Sequence, residues 1–132
     1  MSLITVSGSC HCGQVSFKAK IDPNSEVQVC NCSMCSMCGY QHLIVPGDHF
    51  ELQSGSDILA EYQFKSGIAR HFFCSNCGIK SFYVPRSNPD GYSLNVRCLD
   101  IPPDCELQIS EFDGRNWSDN AGSLAHLTQT KD

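Results

Sequence analysis

Four cysteines fall within nine positions of CNCSMCSMCGY: Cys30, Cys32, Cys35 and Cys38, with Gly39 directly behind the last. Two further pairs lie in CHCG (Cys10, Cys12) and CSNCG (Cys74, Cys77), while Cys98 and Cys105 stand alone. Thiols serve disulfides, metal binding and redox chemistry, and compartment and spacing decide among them. The opening MSLITVSGSCHCG has neither the basic nor the apolar region of an export signal, and no stretch approaches the roughly 18 apolar residues of a membrane span. A cytoplasmic, reducing setting is therefore expected, where clustered cysteines ligate metal rather than pair. A CxxCG turn directs two thiolates to one side of a tight loop, and its glycine permits the bend behind the sulfurs, a role that fits Gly78. Zinc prefers four such ligands in a tetrahedron, so pairs distant in sequence must meet across the fold.

Spacing alone leaves the partners open. One arrangement joins Cys35 and Cys38 with Cys74 and Cys77 as a ribbon-like site, and the CxC pairs form another. A second joins Cys10 and Cys12 with Cys74 and Cys77 and leaves Cys30, Cys32 and Cys35 as a three-thiolate cluster. The second has chemical consequences, because three protein ligands leave zinc an open position, as in catalytic sites. Cys38 reads as a spectator, a fourth ligand that closes the site, or a redox partner of Cys35. Cys98 and Cys105 read as core filler.

The elements that must position these thiols are strands. In QVSFKAKI the residues Val15, Phe17, Ala19 and Ile21 share one face at the two-residue period of a half-buried strand. VQVC, HLIV, HFELQ, ILAEYQF, ARHFF, KSFYV, YSLNV and ELQISEF continue the pattern, separated by Pro- and Gly-bearing turns such as DPNS, PGD and SNPDG. The tail WSDNAGSLAHLTQ predicts a turn or two of helix at most, weakened by Gly122. Length (132 residues) and composition (41% hydrophobic, 17% charged) predict one mainly β domain over residues 1–132, stapled by metal. The net charge of −5, with lysines and arginines scattered along the chain, argues against nucleic acid as a partner and assigns those cations to solvated surface.

GSCHCG, CNCSMC with Gly39, HFFCSNCG, FYVPRSNPDG, RCLD and EFDGRNW together resemble the glutathione-dependent formaldehyde-activating enzyme family, including its centromere protein V branch, over residues 8–118. The resemblance implies coiled β-sheets of the Mss4-like kind and supports the second pairing. It implies a structural zinc on Cys10, Cys12, Cys74 and Cys77 and a catalytic zinc on Cys30, Cys32 and Cys35, two zinc ions in all. The implied activity is reversible condensation of glutathione with formaldehyde to S-hydroxymethylglutathione, a carbon-sulfur lyase reaction. Cys38 is not among the cysteines carried over.

Glutathione is anionic, so a cleft for it, or for a similar small thiol, should offer guanidinium or backbone N–H groups; Arg86 and Arg97 are the candidates. His11 and His71 read as structural, His42 and His49 lie just beyond the cluster, and Phe73, Phe82 and Tyr83 read as core. Trp117 reads as a cover for the core edge. The competing functions are a non-enzymatic zinc module with a protein partner, as in the centromere protein V branch, and a reductase using Cys38 or Cys98.

Overall fold

A computed structural model of the protein describes residues 3–63, 69–113, 116 and 121–128. Among these, ten strands form two sheets. Strands β1 (Ile4–Ser9), β2 (Ser16–Ile21) and β5 (Phe50–Ser54) make a three-stranded antiparallel sheet in the order β1-β2-β5. The larger sheet contains β3 (Glu26–Cys30), β4 (Gln41–Pro46), β6 (Leu59–Tyr62), β7 (Arg70–Cys74), β8 (Phe82–Val84), β9 (Gly91–Asn95) and β10 (Gln108–Phe112). Its order is β10-β3-β4-β9-β8-β7-β6. All its pairings are antiparallel except β10 on β3, where Gln108 faces Glu26 and Phe112 faces Cys30 in parallel register.

The period-two reading of β2 is realised: Phe17, Ala19 and Ile21 are buried, as is Val15 just before the strand, while Lys18 and Lys20 point to solvent. Gly8 lies opposite Phe17 in the β1–β2 register. A Cβ on Gly8 would lie 2.3 Å from Phe17 Cζ, so only glycine lets the ring lie across β1. Aromatic contacts then join the two sheets. Phe17, packed on Phe50 of its own sheet (5.1 Å between ring centres), meets Phe82 of the larger one (5.7 Å, edge-on), and Phe50 stacks across on Tyr92 at 4.2 Å. Each pair adds about 0.5–1.5 kcal/mol beyond simple burial. Strand β4 is buried from His42 to Pro46, which explains why HLIV reads as an apolar run rather than an alternation. Its Leu43 and Val45 face the main core, and Ile44 packs against Phe112 and Leu124.

Three elements differ from the sequence expectation. β1 was unforeseen, because ITVSGS carries too few apolar residues to stand out, yet the ladder with β2 fixes it from Ile4 to Ser9. SMCSMC forms a short helix, α1 (Ser33–Cys38). Cys32 caps its start, accepting from Cys35 N–H, and Gly39 in the left-handed conformation (φ 64°) ends it. In the tail, a 3-10 helix spans Ala121–Thr128, while Trp117 lies outside the described residues.

Candidate functional site

The cysteine pairs are delivered by three tight turns. After β1, the backbone N–H of Cys10 donates to Val15 O (3.0 Å) and that of Gly13 to Cys10 O (3.2 Å), with Gly13 at φ 81°. After β7, Gly78 at φ 79° closes the second turn, its N–H donating to Cys74 O at 2.8 Å. Both glycines hold backbone conformations that other residues adopt only with strain. The third device is the β3–α1 junction, where Cys30 ends the strand, Cys32 caps the helix and Cys35 lies in its first turn.

The result is two separate sulfur clusters. The Sγ atoms of Cys10, Cys12, Cys74 and Cys77 lie within 4.8 Å of one another, and so do those of Cys30, Cys32 and Cys35. Cys10 to Cys12 is 3.5 Å and Cys12 to Cys74 is 3.7 Å. Those spacings approach the ~3.8 Å edge of a tetrahedron with roughly 2.3 Å zinc–sulfur bonds. Backbone N–H groups also aim at the sulfurs: Val15 at Cys10 (3.4 Å), Asn76 and Cys77 at Cys74 (3.4 Å each), Cys32 at Cys30 (3.5 Å) and Cys35 at Cys32 (3.4 Å). Such donors stabilise thiolates, and the donor set of soft sulfurs fits a thiophilic divalent metal. Cys38 is exposed and belongs to neither cluster, as do Cys98 and Cys105, which are half-buried rather than core.

Negative charge is unevenly held in the three-sulfur cluster. Hydrogen bonds from Cys30 and Cys35 pull Cys32 far below the ordinary thiol range, while hydrogen bonds with Cys30 and Cys32, then burial, hold Cys35 far above it. In the other cluster, burial pushes Cys10 up to about 11, and backbone N–H groups of Cys12 and Ile79 lower Cys77 to about 6. A metal that displaces the remaining protons makes its own affinity rise with pH.

A cleft of about 630 Å³ opens onto the three-sulfur cluster, lined by Cys30, Cys35, Tyr40, Arg97 and Glu111 among others. Arg97 is exposed and also lines a neighbouring cleft of about 990 Å³ that contains Cys38 and Cys98. Arg97 thus lines the cleft beside the cluster, whereas Arg86, half-buried in the loop after β8, lines neither cleft.

Behind the cluster's chain neighbours runs a buried polar network. Tyr40 donates to Ser93 O (2.7 Å), and His42 Nδ1 lies 3.0 Å from Ser93 Oγ and 3.1 Å from the Tyr83 hydroxyl. His71 stacks on Tyr83 at 4.8 Å, and its Nδ1 lies 2.6 Å from Lys80 Nζ. The expectation that every lysine is solvated surface fails at Lys80, which is only 7% exposed. It lies two residues before β8, and its Nζ reaches the Tyr83 and His71 side of the sheet rather than the core that holds Phe82. His71 is structural as expected, and His42 belongs to the same network, whereas His11 is exposed.

The family model described as glutathione-dependent formaldehyde-activating enzyme matches residues 5–114. A crystal structure of a Rhodobacter sphaeroides protein is similar at 30% sequence identity with a TM-score of 0.69, covering 79% of this chain and 99% of that one. No helix among the described residues is long and apolar enough to cross a membrane.

Proposed function

Because this chain belongs to the glutathione-dependent formaldehyde-activating enzyme family, we propose that it condenses glutathione, or a similar small thiol, with formaldehyde at the Cys30–Cys32–Cys35 cluster. The product is S-hydroxymethylglutathione: a carbon–sulfur bond forms, the carbonyl electron pair moves to oxygen, and the thiol proton ends on that oxygen. The reaction is of the carbon-sulfur lyase class. The observation that carries the reading is the composition of the cluster: three sulfurs converge, the nearby Cys38 stays outside, and a cleft of about 630 Å³ opens beside them.

Cys30, Cys32 and Cys35 would hold one zinc ion, and Cys10, Cys12, Cys74 and Cys77 a second, the first for chemistry and the second for the fold. A three-thiolate zinc supplies Lewis acidity that favours a substrate thiol in its ionised form. The protein's share is positioning. Arg97 offers its guanidinium at the cleft to a substrate carboxylate, a charge-assisted contact that Arg makes in paired fashion. Arg86, the other candidate, lines neither cleft, so Arg97 carries this role in the proposal. Glu111, in the same lining as Arg97, would offer its carboxylate to the ammonium of the tripeptide. Holding thiol and aldehyde together converts a two-body encounter into a local one. The unit proposed is a single zinc-binding domain over residues 1–132 acting in the cytoplasm.

Exchange spectroscopy on glutathione and carbon-13 formaldehyde measures the test. The protein with both clusters loaded should accelerate interconversion with S-hydroxymethylglutathione, and Cys35→Ser should abolish that acceleration while retaining the metal of the other cluster. Loaded protein that binds glutathione without accelerating exchange would indicate a carrier. Loaded protein that ignores glutathione would defeat the proposal in favour of a zinc module with a protein partner.

A further inference from the structure

Among the described residues, Lys80 is the one buried side chain of the Asp, Glu, Lys and Arg class, and no carboxylate is buried with it. Buried charges in folded proteins are paired, because an isolated one forfeits its hydration without return. The immediate neighbours of its Nζ are all neutral partners: His71 Nδ1 at 2.6 Å, the Tyr83 ring face at 4.0 Å and the Tyr40 ring at 5.0 Å. Aromatic faces at those distances favour a cation. Neither imidazole of the network competes for the positive charge. Burial, then the charge of Lys80, lowers His42 to about 3 and His71 to about 4, so both are neutral at physiological pH. Tyr40 ties this lysine to the cluster: its ring lies 5.0 Å from Nζ, its backbone N–H donates to Cys35 O at 3.3 Å, and it lines the cleft beside Cys30 and Cys35. The three-sulfur cluster on the other side of Tyr40 is therefore the anionic group that this lysine is placed to serve.

Formal charge makes the consequence concrete. Three thiolates around a divalent ion leave one net negative charge, and an arriving thiolate raises it to two. In a low-dielectric setting that second charge is costly unless a fixed cation offsets it. We propose that Lys80 is this charge-balancing residue: its buried ammonium, held by His71 and the faces of Tyr40 and Tyr83, selects ionised thiols over neutral thioethers at the Cys30–Cys32–Cys35 site. This inference rests on the proposed thiol chemistry of that site. It adds a residue outside both cysteine clusters and both clefts.

The groups that face Lys80 are His71 from β7, Tyr83 from β8, Tyr40 just before β4 and His42 within it, with the cluster on the other side of Tyr40. Two variants isolate its charge. Lys80→Gln keeps an N–H donor for His71 and removes the charge; Lys80→Met keeps the apolar stem between the tyrosines if glutamine disturbs packing. Calorimetry on the zinc-loaded proteins then compares glutathione with S-methylglutathione, whose sulfur cannot ionise. The expected result is about 10-fold weaker glutathione binding in the variants, with S-methylglutathione within about 2-fold of the unaltered protein, a change of roughly 1.4 kcal/mol confined to the thiol. Equal glutathione affinity in a folded Lys80 variant would overturn the assignment. If the unaltered protein itself fails to distinguish the two ligands, the thiol reading of the site falls, and a second measurement decides Lys80 separately. A chelator should strip metal from the three-cysteine cluster at least about 5-fold faster in Lys80→Gln, because a negatively charged cluster has lost its counter-cation. An unchanged release rate would then sink the charge-balancing role.

Discussion

Cys38 lies three positions beyond Cys35 at the end of α1, so sequence distance alone admits it to the cluster. The helix decides otherwise. Cys32 accepts the N–H of Cys35 as a cap, which turns the Cys35 sulfur inward, whereas Cys38 ends exposed where Gly39 breaks the helix. Cys38→Ser is accordingly expected to retain the metal content of both clusters, with thiol affinity changed less than about 2-fold, a surface substitution of the usual small effect. Elemental analysis of the purified variant checks it, and loss of one equivalent of metal would make Cys38 a ligand. The CxCxxCxxC spacing displayed the candidates plainly. It did not show which of them the capped helix leaves outside, because that depends on backbone direction at one turn.

Sheet connections explain why the two clusters should differ in what they do for the fold. Cys10 and Cys12 leave the three-stranded sheet, and Cys74 and Cys77 leave β7 of the larger one, so a metal on these four joins segments more than sixty residues apart, as the separation of 62 between Cys12 and Cys74 records. Cys30, Cys32 and Cys35 belong to a single strand-to-helix junction and close almost no loop. Loop-closure entropy removed from the unfolded chain grows with the length closed, so the first cluster contributes more to stability. Cys77→Ser is expected to lower the melting temperature by about 12 °C or more, roughly three or more kcal/mol at about 4 °C for each, and Cys30→Ser by less than about half as much. Calorimetric scans of both variants, with zinc in the buffer, measure the contrast; equal losses would mean that the clusters share one structural role. The strands feeding these turns were legible as period-two runs, but β1 was not. Its few apolar side chains acquire meaning only opposite Phe17 and Ala19 in the ladder.

Over the whole molecule, the buried histidines couple stability to pH. His42 and His71 sit neutral in the folded protein at about 3 and 4 but regain an ordinary value near 6.5 when unfolded. The unfolded state therefore binds more protons on acidification. Stability is fully present above about pH 6.5 and declines as pH falls toward the folded values, by up to about 1.4 kcal/mol per pH unit for each histidine. Urea unfolding between about pH 7 and pH 5, with excess zinc keeping the clusters loaded, should show this slope, and His42→Gln should flatten it. A pH-independent midpoint would show that neither imidazole is held neutral. The mainly β architecture and family membership were readable from the chain because strand period, turn residues and cysteine motifs are local patterns, and local patterns need no partner to be seen. Tertiary structure alone decided which thiols meet, that Arg97 rather than Arg86 borders the cleft, and that Lys80 is sealed beside two tyrosines and a histidine. Those outcomes depend on how two sheets pack through Phe17, Phe50 and Phe82, a relation between distant segments that no stretch of sequence contains.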